Sequence, residues 1–327
     1  MSGGDSKPSA KPVHVPVDSG DTVSVSGPVL VRSRRAVFAR RAISAVILWS
    51  VLFGVLLAGQ PIGYFLLTAS MGMAGLWEFY GMLDHKRLPN FKIFGMLCAG
   101  LLFVVSTYFL AYRDAPGAQP GNYETAVLLV FLLGVFGRQF FTHRPEAVPP
   151  LETMAYTVFG LLYVPWLFNF ITKIIYLVPR TTEGWLVGQY YVLYLIAVAK
   201  FSDMGAYLTG SLIGKHKMVP HISPGKTWEG FGGALAFSLL ASYGLKAVMP
   251  VKLGLLGNFD LLLLGLVLSV AAVIGDLAES ILKRGTGVKD SGQLLPGIGG
   301  VLDLIDSLLF TAPILYFYLY YLLGRAV

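Results

Sequence analysis

Nine apolar stretches alternate with short polar segments along the chain, at residues 42–58, 61–83, 93–111, 125–141, 153–177, 189–213, 230–249, 259–282 and 303–323. A helix that crosses a bilayer needs about 17 to 25 residues. The pattern therefore predicts an all-α, polytopic integral membrane protein with about nine transmembrane helices. Residues 1–31 are rich in Ser, Gly, Pro, Val and Asp without periodicity and read as a disordered polar tail on the cytosolic side. About five helices then fall within 32–188, and the rest within 189–327 together with two polar loops, 214–229 and 283–302.

Composition sharpens this reading. The 327 residues are 55% hydrophobic and only 13% charged, against about 25% charged in soluble domains. A net charge of +7 would suggest nucleic acid in a soluble protein, but no nucleic-acid partner is expected here. Most of the Lys and Arg gather on one side once the N-terminus is placed in the cytosol, as the positive-inside rule requires. Arg32, Arg34, Arg35, Arg40 and Arg41 anchor the first helix, and Ser33-Arg34-Arg35 lacks the cleavage site of an export signal. The same assignment puts both polar loops on the cytosolic face. The single cysteine, Cys98, excludes an internal disulfide and a cysteine metal site.

The charges left inside apolar segments are the candidates for chemistry, because an ionisable group at the bilayer centre costs about 2.5 to 3.5 kcal/mol even on insertion scales. Asp276 and Glu279 lie three residues apart on the eighth stretch, as do Asp303 and Asp306 on the ninth, a spacing that puts each pair on one helix face. Antiparallel neighbours would bring all four to within one or two turns of the same surface. Such a cluster repels itself unless a cation or a shared proton compensates, and hard oxygen donors beside phosphate favour Mg²⁺, with a second cation as an option. Lys283, Arg284 and Lys289 follow in a glycine-broken loop suited to a polyphosphate. Further back, Lys200 and Asp203 interrupt the sixth stretch, and the loop after it is basic, proline-broken and hydroxyl-bearing. Its Gly225-Lys226-Thr227 imitates the end of a P-loop, but Pro220 stands where that motif needs glycine. Glu78, between Trp77 and Phe79, stays ambiguous between packing and function.

The motifs resemble those of the phosphatidate cytidylyltransferases, the integral-membrane CDP-diacylglycerol synthases. Ser280, Lys283, Arg284, Lys289, Asp290, Gly292, Pro296, Gly297, Gly299, Gly300, Asp303 and Asp306 match the family signature. Upstream, Ser202, Asp203, Gly205 to Tyr207, Gly214 to Lys217, Ser223, Pro224, Lys226 to Trp228 and Gly230 match a second block. The resemblance implies transfer of a cytidylyl group from CTP to phosphatidate, yielding CDP-diacylglycerol and pyrophosphate, in a homodimer of the bacterial inner membrane with a cytosolic active site. It further implies Asp276 and Asp303 as principal Mg²⁺ ligands supported by Glu279 and Asp306. Lys226, Lys283, Arg284 and Lys289 would hold the triphosphate, with Ser223, Thr227, Asp290 and Asp203 lining the nucleotide site. Two positions depart from the pattern: Ile298 replaces His and Leu304 replaces Arg. The competing classes are a relative that binds lipid or nucleotide without turnover and an ion-coupled transporter, for which paired half-repeats would be the mark.

Overall fold

A computed structural model describes residues 34–112, 120–141, 150–178, 186–292, 294–295 and 299–326. The polar tail, Arg32 and Ser33, and Pro296, Gly297 and Ile298 of the signature lie outside the described residues. Nine helices are present among the described residues: α1 (Arg34–Ala58), α2 (Pro61–His85), α3 (Lys92–Tyr112), α4 (Pro120–Phe140), α5 (Pro150–Leu177), α6 (Gly188–Ile213), α7 (Trp228–Val248), α8 (Asn258–Thr286) and α9 (Val301–Ala326). The seven from α3 to α9 are long and apolar enough to cross a membrane, and Ile43–Ala58 of α1 forms a shorter apolar helix. The protein is an integral membrane protein. The expected spans 61–83 and 42–58 are helical without meeting that measure; α2 carries Glu78 and Asp84 among its small residues, which lowers its apolarity.

Two local features depart from uninterrupted spans and loops. Within α5, Leu162–Trp166 widens into a π turn around Pro165, because proline lacks the N–H that an α-helical turn would use. The ladder then resumes, with Asn169 N donating to the Pro165 carbonyl at 2.9 Å. The segment 214–229, read as a loop, contains an antiparallel hairpin of β1 (Lys217–Val219) and β2 (Ser223–Thr227). Pro220 lies at its turn, and Trp228 N closes the base on the His216 carbonyl at 2.9 Å. The Thr227 hydroxyl then accepts from Gly230 N at 3.1 Å, the N-cap that starts α7. Glu229, in the first turn of α7, accepts from the Lys215 and His216 amides at 3.2 Å.

Helix α9 is the axis of the bundle and packs on α2, α5, α6 and α8. Its Leu302, Ile305, Leu309, Ala312, Leu315 and Leu319 recur every three or four residues and are wholly buried, the stripe of a helix facing neighbours on one side. Lipid is as apolar as leucine, so association here comes from close packing and polar contacts rather than from expulsion of water. Glycines show where backbones touch. A Cβ at Gly205 would lie 2.4 Å from the Gly233 carbonyl, which fixes the α6–α7 crossing. One at Gly275 would lie 2.6 Å from the Asp306 carbonyl, which fixes α8 against α9.

At the end of the bundle remote from the hairpin, a buried ion pair joins α4 to α5. Lys173 Nζ meets Glu124 Oε2 at 2.5 Å with side chains only 9% and 7% exposed. Asn169 donates to the other Glu124 oxygen at 2.8 Å, and the ammonium sits 4.0 Å from the Phe170 ring centroid. Lys173→Met strands the Glu124 charge and is expected to destabilise the protein by about 3 to 5 kcal/mol, read as a lower unfolding midpoint in detergent. The Glu124→Gln/Lys173→Met double variant removes both charges and should recover much of that loss; an equal loss in both would show that packing, not charge, is at stake.

Candidate active site

The backbone contact at Gly275 brings the carboxylates of α8 and α9 together. One oxygen each from Asp276, Glu279 and Asp306 lies within 4.8 Å of the others. Glu279 is 1% exposed and Asp306 is buried, whereas Asp276 is half-buried and opens toward a cavity. Two lysines offset the charge: Lys226 Nζ stands 2.9 Å from Asp276 Oδ2, and Lys283 Nζ stands 2.7 Å from both Glu279 Oε2 and Asp303 Oδ1. Asp303 is thus the fourth carboxylate of the group, joined to the trio through Lys283. Its second oxygen accepts from the Gly300 amide at 3.0 Å, capping the first turn of α9. Glu279 Oε1 is buried and has no hydrogen-bond partner among the described residues. A buried acceptor without a donor is costly, and beside two further carboxylates it matches what a hard divalent cation requires.

The site is recessed. Asp276 and Asp203 each precede the end of their helix by about 15 Å at 1.5 Å per residue, deeper than the one or two turns expected for Asp276. A cavity of about 290 Å³ reaches them, lined by Asp203, Ser223, Lys226, Thr227 and Asp276 with Met218 and Phe231. The hairpin forms its outer wall. Lys226 enters from β2 and also donates to the Val273 carbonyl at 3.1 Å, so its ammonium is pinned at the cavity's inner end. The Thr227 side chain, already the N-cap of α7, turns its hydroxyl to the helix. Arg284 is exposed, with Nε 3.5 Å from the Ile222 carbonyl at the hairpin turn; Lys289 and Asp290 are exposed on the segment after α8.

Two further residues belong to this neighbourhood. Glu78, on α2 and 4% exposed, accepts from Leu302 N at 2.8 Å and from Ser291 Oγ at 3.3 Å. Its chain fills space that only glycine leaves: a Cβ at Gly292 would lie 2.2 Å from Glu78 Oε1, and one at Gly300 would lie 2.7 Å from Oε2. Glu78 therefore holds both flanks of the loop that carries the signature, and caps α9 from outside. Lys200 donates to the Leu304 carbonyl at 3.0 Å and to Ser307 Oγ at 3.2 Å, and lies 3.4 Å from Asp203. A lone charge in an apolar helix was the only sign of either role in the sequence. Ile298 lies outside the described residues; Leu304 is half-buried, its side chain among apolar neighbours.

The pattern that describes the cytidylyltransferase family matches residues 39–322. The phosphatidate cytidylyltransferase of Bacillus subtilis strain 168 is 32% identical over 276 residues, covering 84% of this chain and 94% of its own length. The uncharacterized protein YnbB of Escherichia coli K12 is 40% identical over 166 residues, about half of each chain. A phosphatidate cytidylyltransferase of Staphylococcus haemolyticus is 46% identical over 128 residues, 39% of this chain and 48% of that one.

Loss of the Glu78 carboxylate should loosen the start of α9 before it unfolds anything else. A hydrogen bond to a charged group contributes about 1.5 to 3 kcal/mol, so Glu78→Ala is expected to speed amide exchange at Leu302 by about tenfold or more in detergent, with the far end of α9 unchanged. Glu78→Gln keeps an acceptor and should fall between. Uniform protection along α9 in both variants would remove Glu78 from this role.

Proposed function

Because the chain belongs to the cytidylyltransferase family, we propose that its recessed carboxylates and lysines are the machinery of the family's reaction. The chain transfers a cytidylyl group from CTP to phosphatidate, giving CDP-diacylglycerol and pyrophosphate. The observation that carries the site assignment is the trio Asp276, Glu279 and Asp306 within 4.8 Å, together with a buried Glu279 oxygen that has no hydrogen-bond partner among the described residues.

The reaction sets a problem of charge rather than of proton transfer. A phosphomonoester with a second pKa near 6 is already ionised at neutral pH, so its oxygen attacks the α-phosphorus of CTP without a general base. A new P–O bond forms there as the bond to pyrophosphate breaks, and the leaving group takes that electron pair. What must be supplied is alignment of two anions and neutralisation of their crowded oxygens. Mg²⁺ bound among Asp276, Asp303, Glu279 and Asp306 would supply neutralisation of the phosphoryl oxygens. Lys226, fixed between Asp276 and the Val273 carbonyl, faces the cavity from the hairpin and suits the α-phosphate end of the nucleotide. Lys283, between Glu279 and Asp303, balances the carboxylates in the absence of substrate and can turn to the triphosphate when it arrives, freeing Asp303 to complete the donor set. Arg284 and Lys289, with Ser223, Thr227 and Asp290, extend the nucleotide site outward along the hairpin and the loop. Asp203 borders the cavity opposite Lys226. The hairpin end of the bundle faces the cytosol of a bacterial cell, where CTP is available, and the enzyme sits in the inner membrane as a homodimer.

Purified protein given phosphatidate and labelled CTP is expected to release pyrophosphate and form CDP-diacylglycerol only with Mg²⁺ present, and chelation should abolish both. Asp276→Asn and Asp303→Asn should each cost at least about 10²-fold in kcat, with a higher Mg²⁺ requirement in whatever activity remains. Binding of CTP without turnover, across several lipid conditions, would instead favour the reading as a non-catalytic binder.

A further inference from the structure

A second cavity lies behind the Lys200–Asp203 pair. It is enclosed by α1, α2, α5, α6 and α9, has a volume of about 220 Å³, and is walled by aliphatic side chains such as Leu52, Met71, Ile171 and Leu308. Lys200 is the one charged residue among its described lining, and Leu304 lines it as well. Lys200 thus stands in a partition. On one side is the apolar cavity; on the other, Asp203 and Asp276 line the chamber that also holds Lys226. The Lys200 ammonium is 24% exposed as a side chain, and its 3.4 Å approach to Asp203 is long beside the 2.7 to 2.9 Å of a strong charge-assisted bond. Its firmer contacts, to the Leu304 carbonyl and Ser307 Oγ, hold the ammonium in place, with Asp203 its one ion-pair partner among the described residues.

A cation placed where an apolar cavity meets a polar one is complementary to an amphiphile with an anionic head. We propose that the apolar cavity receives an acyl chain of phosphatidate and that Lys200 binds its phosphomonoester at the partition, beside the carboxylates. This assignment rests on the function proposed above. It also gives a physical reading of position 304. The family pattern places arginine there; in this chain the Leu304 side chain extends the apolar wall while its carbonyl accepts from Lys200. The cation has moved from α9 to α6, two helices that meet at this level. From Lys200 the cavity runs along α5 and α6 to Ile175 and Val192, away from the hairpin end.

The full chain in detergent tests this through two readouts, the separate KM values for phosphatidate and CTP and the rise in Tm on adding phosphatidate rather than diacylglycerol. Lys200→Met is expected to raise the phosphatidate KM by about tenfold or more, as loss of a charge-assisted contact should, while the CTP KM stays as it was. Lys200→Arg, and Leu304→Arg in the Lys200→Met background, should recover much of that affinity. Leu52→Phe narrows the cavity and should raise the KM for dioleoyl but not for dihexanoyl phosphatidate. Equal rises in both KM values, a rise confined to CTP, or the same Leu52→Phe effect on both lipids would overturn the assignment. Should the wild-type protein make no product, the proposed function fails while the Tm readout still decides: a phosphatidate-specific rise lost in Lys200→Met supports the lipid site, and an equal rise in both proteins rejects it.

Discussion

The contact between Gly275 and the backbone of Asp306 and Ser307 is the constraint from which the site follows. No side chain stands between α8 and α9 at that level, so carboxylates one residue or one turn along the helices are forced into a common space. Two charges 4.8 Å apart repel by on the order of 3 kcal/mol at an effective dielectric of 20, and the trio has three such pairs. A folded chain tolerates this only if cations are built in. Lys226 comes from the hairpin and Lys283 from the next turn of α8. Each must therefore be held at a particular height. The capped hairpin and the glycine-mediated crossing of α6 and α7 are best understood as the means of holding them.

The first half of the chain takes part in this above all through α2. Glu78 reaches from α2 to the amide of Leu302, across most of the sequence, and fills the space left by Gly292 and Gly300. The described residues of the segment between α8 and α9, 287–292, 294–295 and 299–300, are non-helical backbone set between apolar helices. Such backbone is tolerated at membrane depth only where it is enclosed by protein or lines a water-filled cavity. Glu78 closes the described part of it from the side of α2. Helices α1 to α5 supply this support together with the far-side Lys173–Glu124 lock.

Helix positions were legible in the sequence because apolar length is a local property; the expected span 189–213 and the observed Gly188–Ile213 differ by one residue. The spacing of Asp276 with Glu279 and of Asp303 with Asp306 was legible as one shared face per helix; of the four carboxylates expected to converge, Asp276, Glu279 and Asp306 come within 4.8 Å and Asp303 joins them through Lys283. What could not be read were contacts between residues far apart in the chain. Nothing in the neighbourhood of Glu78 points to Leu302, and nothing near Lys200 points to the carbonyl of Leu304. The hairpin was hidden for another reason: its strands are only three and five residues long, too short to carry an alternating pattern, and Thr227 and Glu229 fix its base as acceptors at the start of α7. The depth of the site was underestimated because α8 continues to Thr286, a turn beyond the last residue that hydropathy would count.

A reaction between a nucleotide and a lipid requires two solvents to meet at one phosphorus atom. Water must reach the triphosphate, yet the acyl chains must remain in a medium that excludes it. The arrangement around Lys200 meets both requirements with a single helix turn. Asp203 faces the polar chamber, Lys200 looks toward the apolar one, and Ser202 behind them is wholly buried against Ser269 of α8, 2.8 Å between hydroxyls. A helix presents three successive directions in four residues, which is why one turn of α6 can form a wall wet on one face and dry on the other. On this view the replacement of arginine by Leu304 preserves the partition: an aliphatic side chain extends the dry face, and the cation that phosphate needs is presented from the helix opposite.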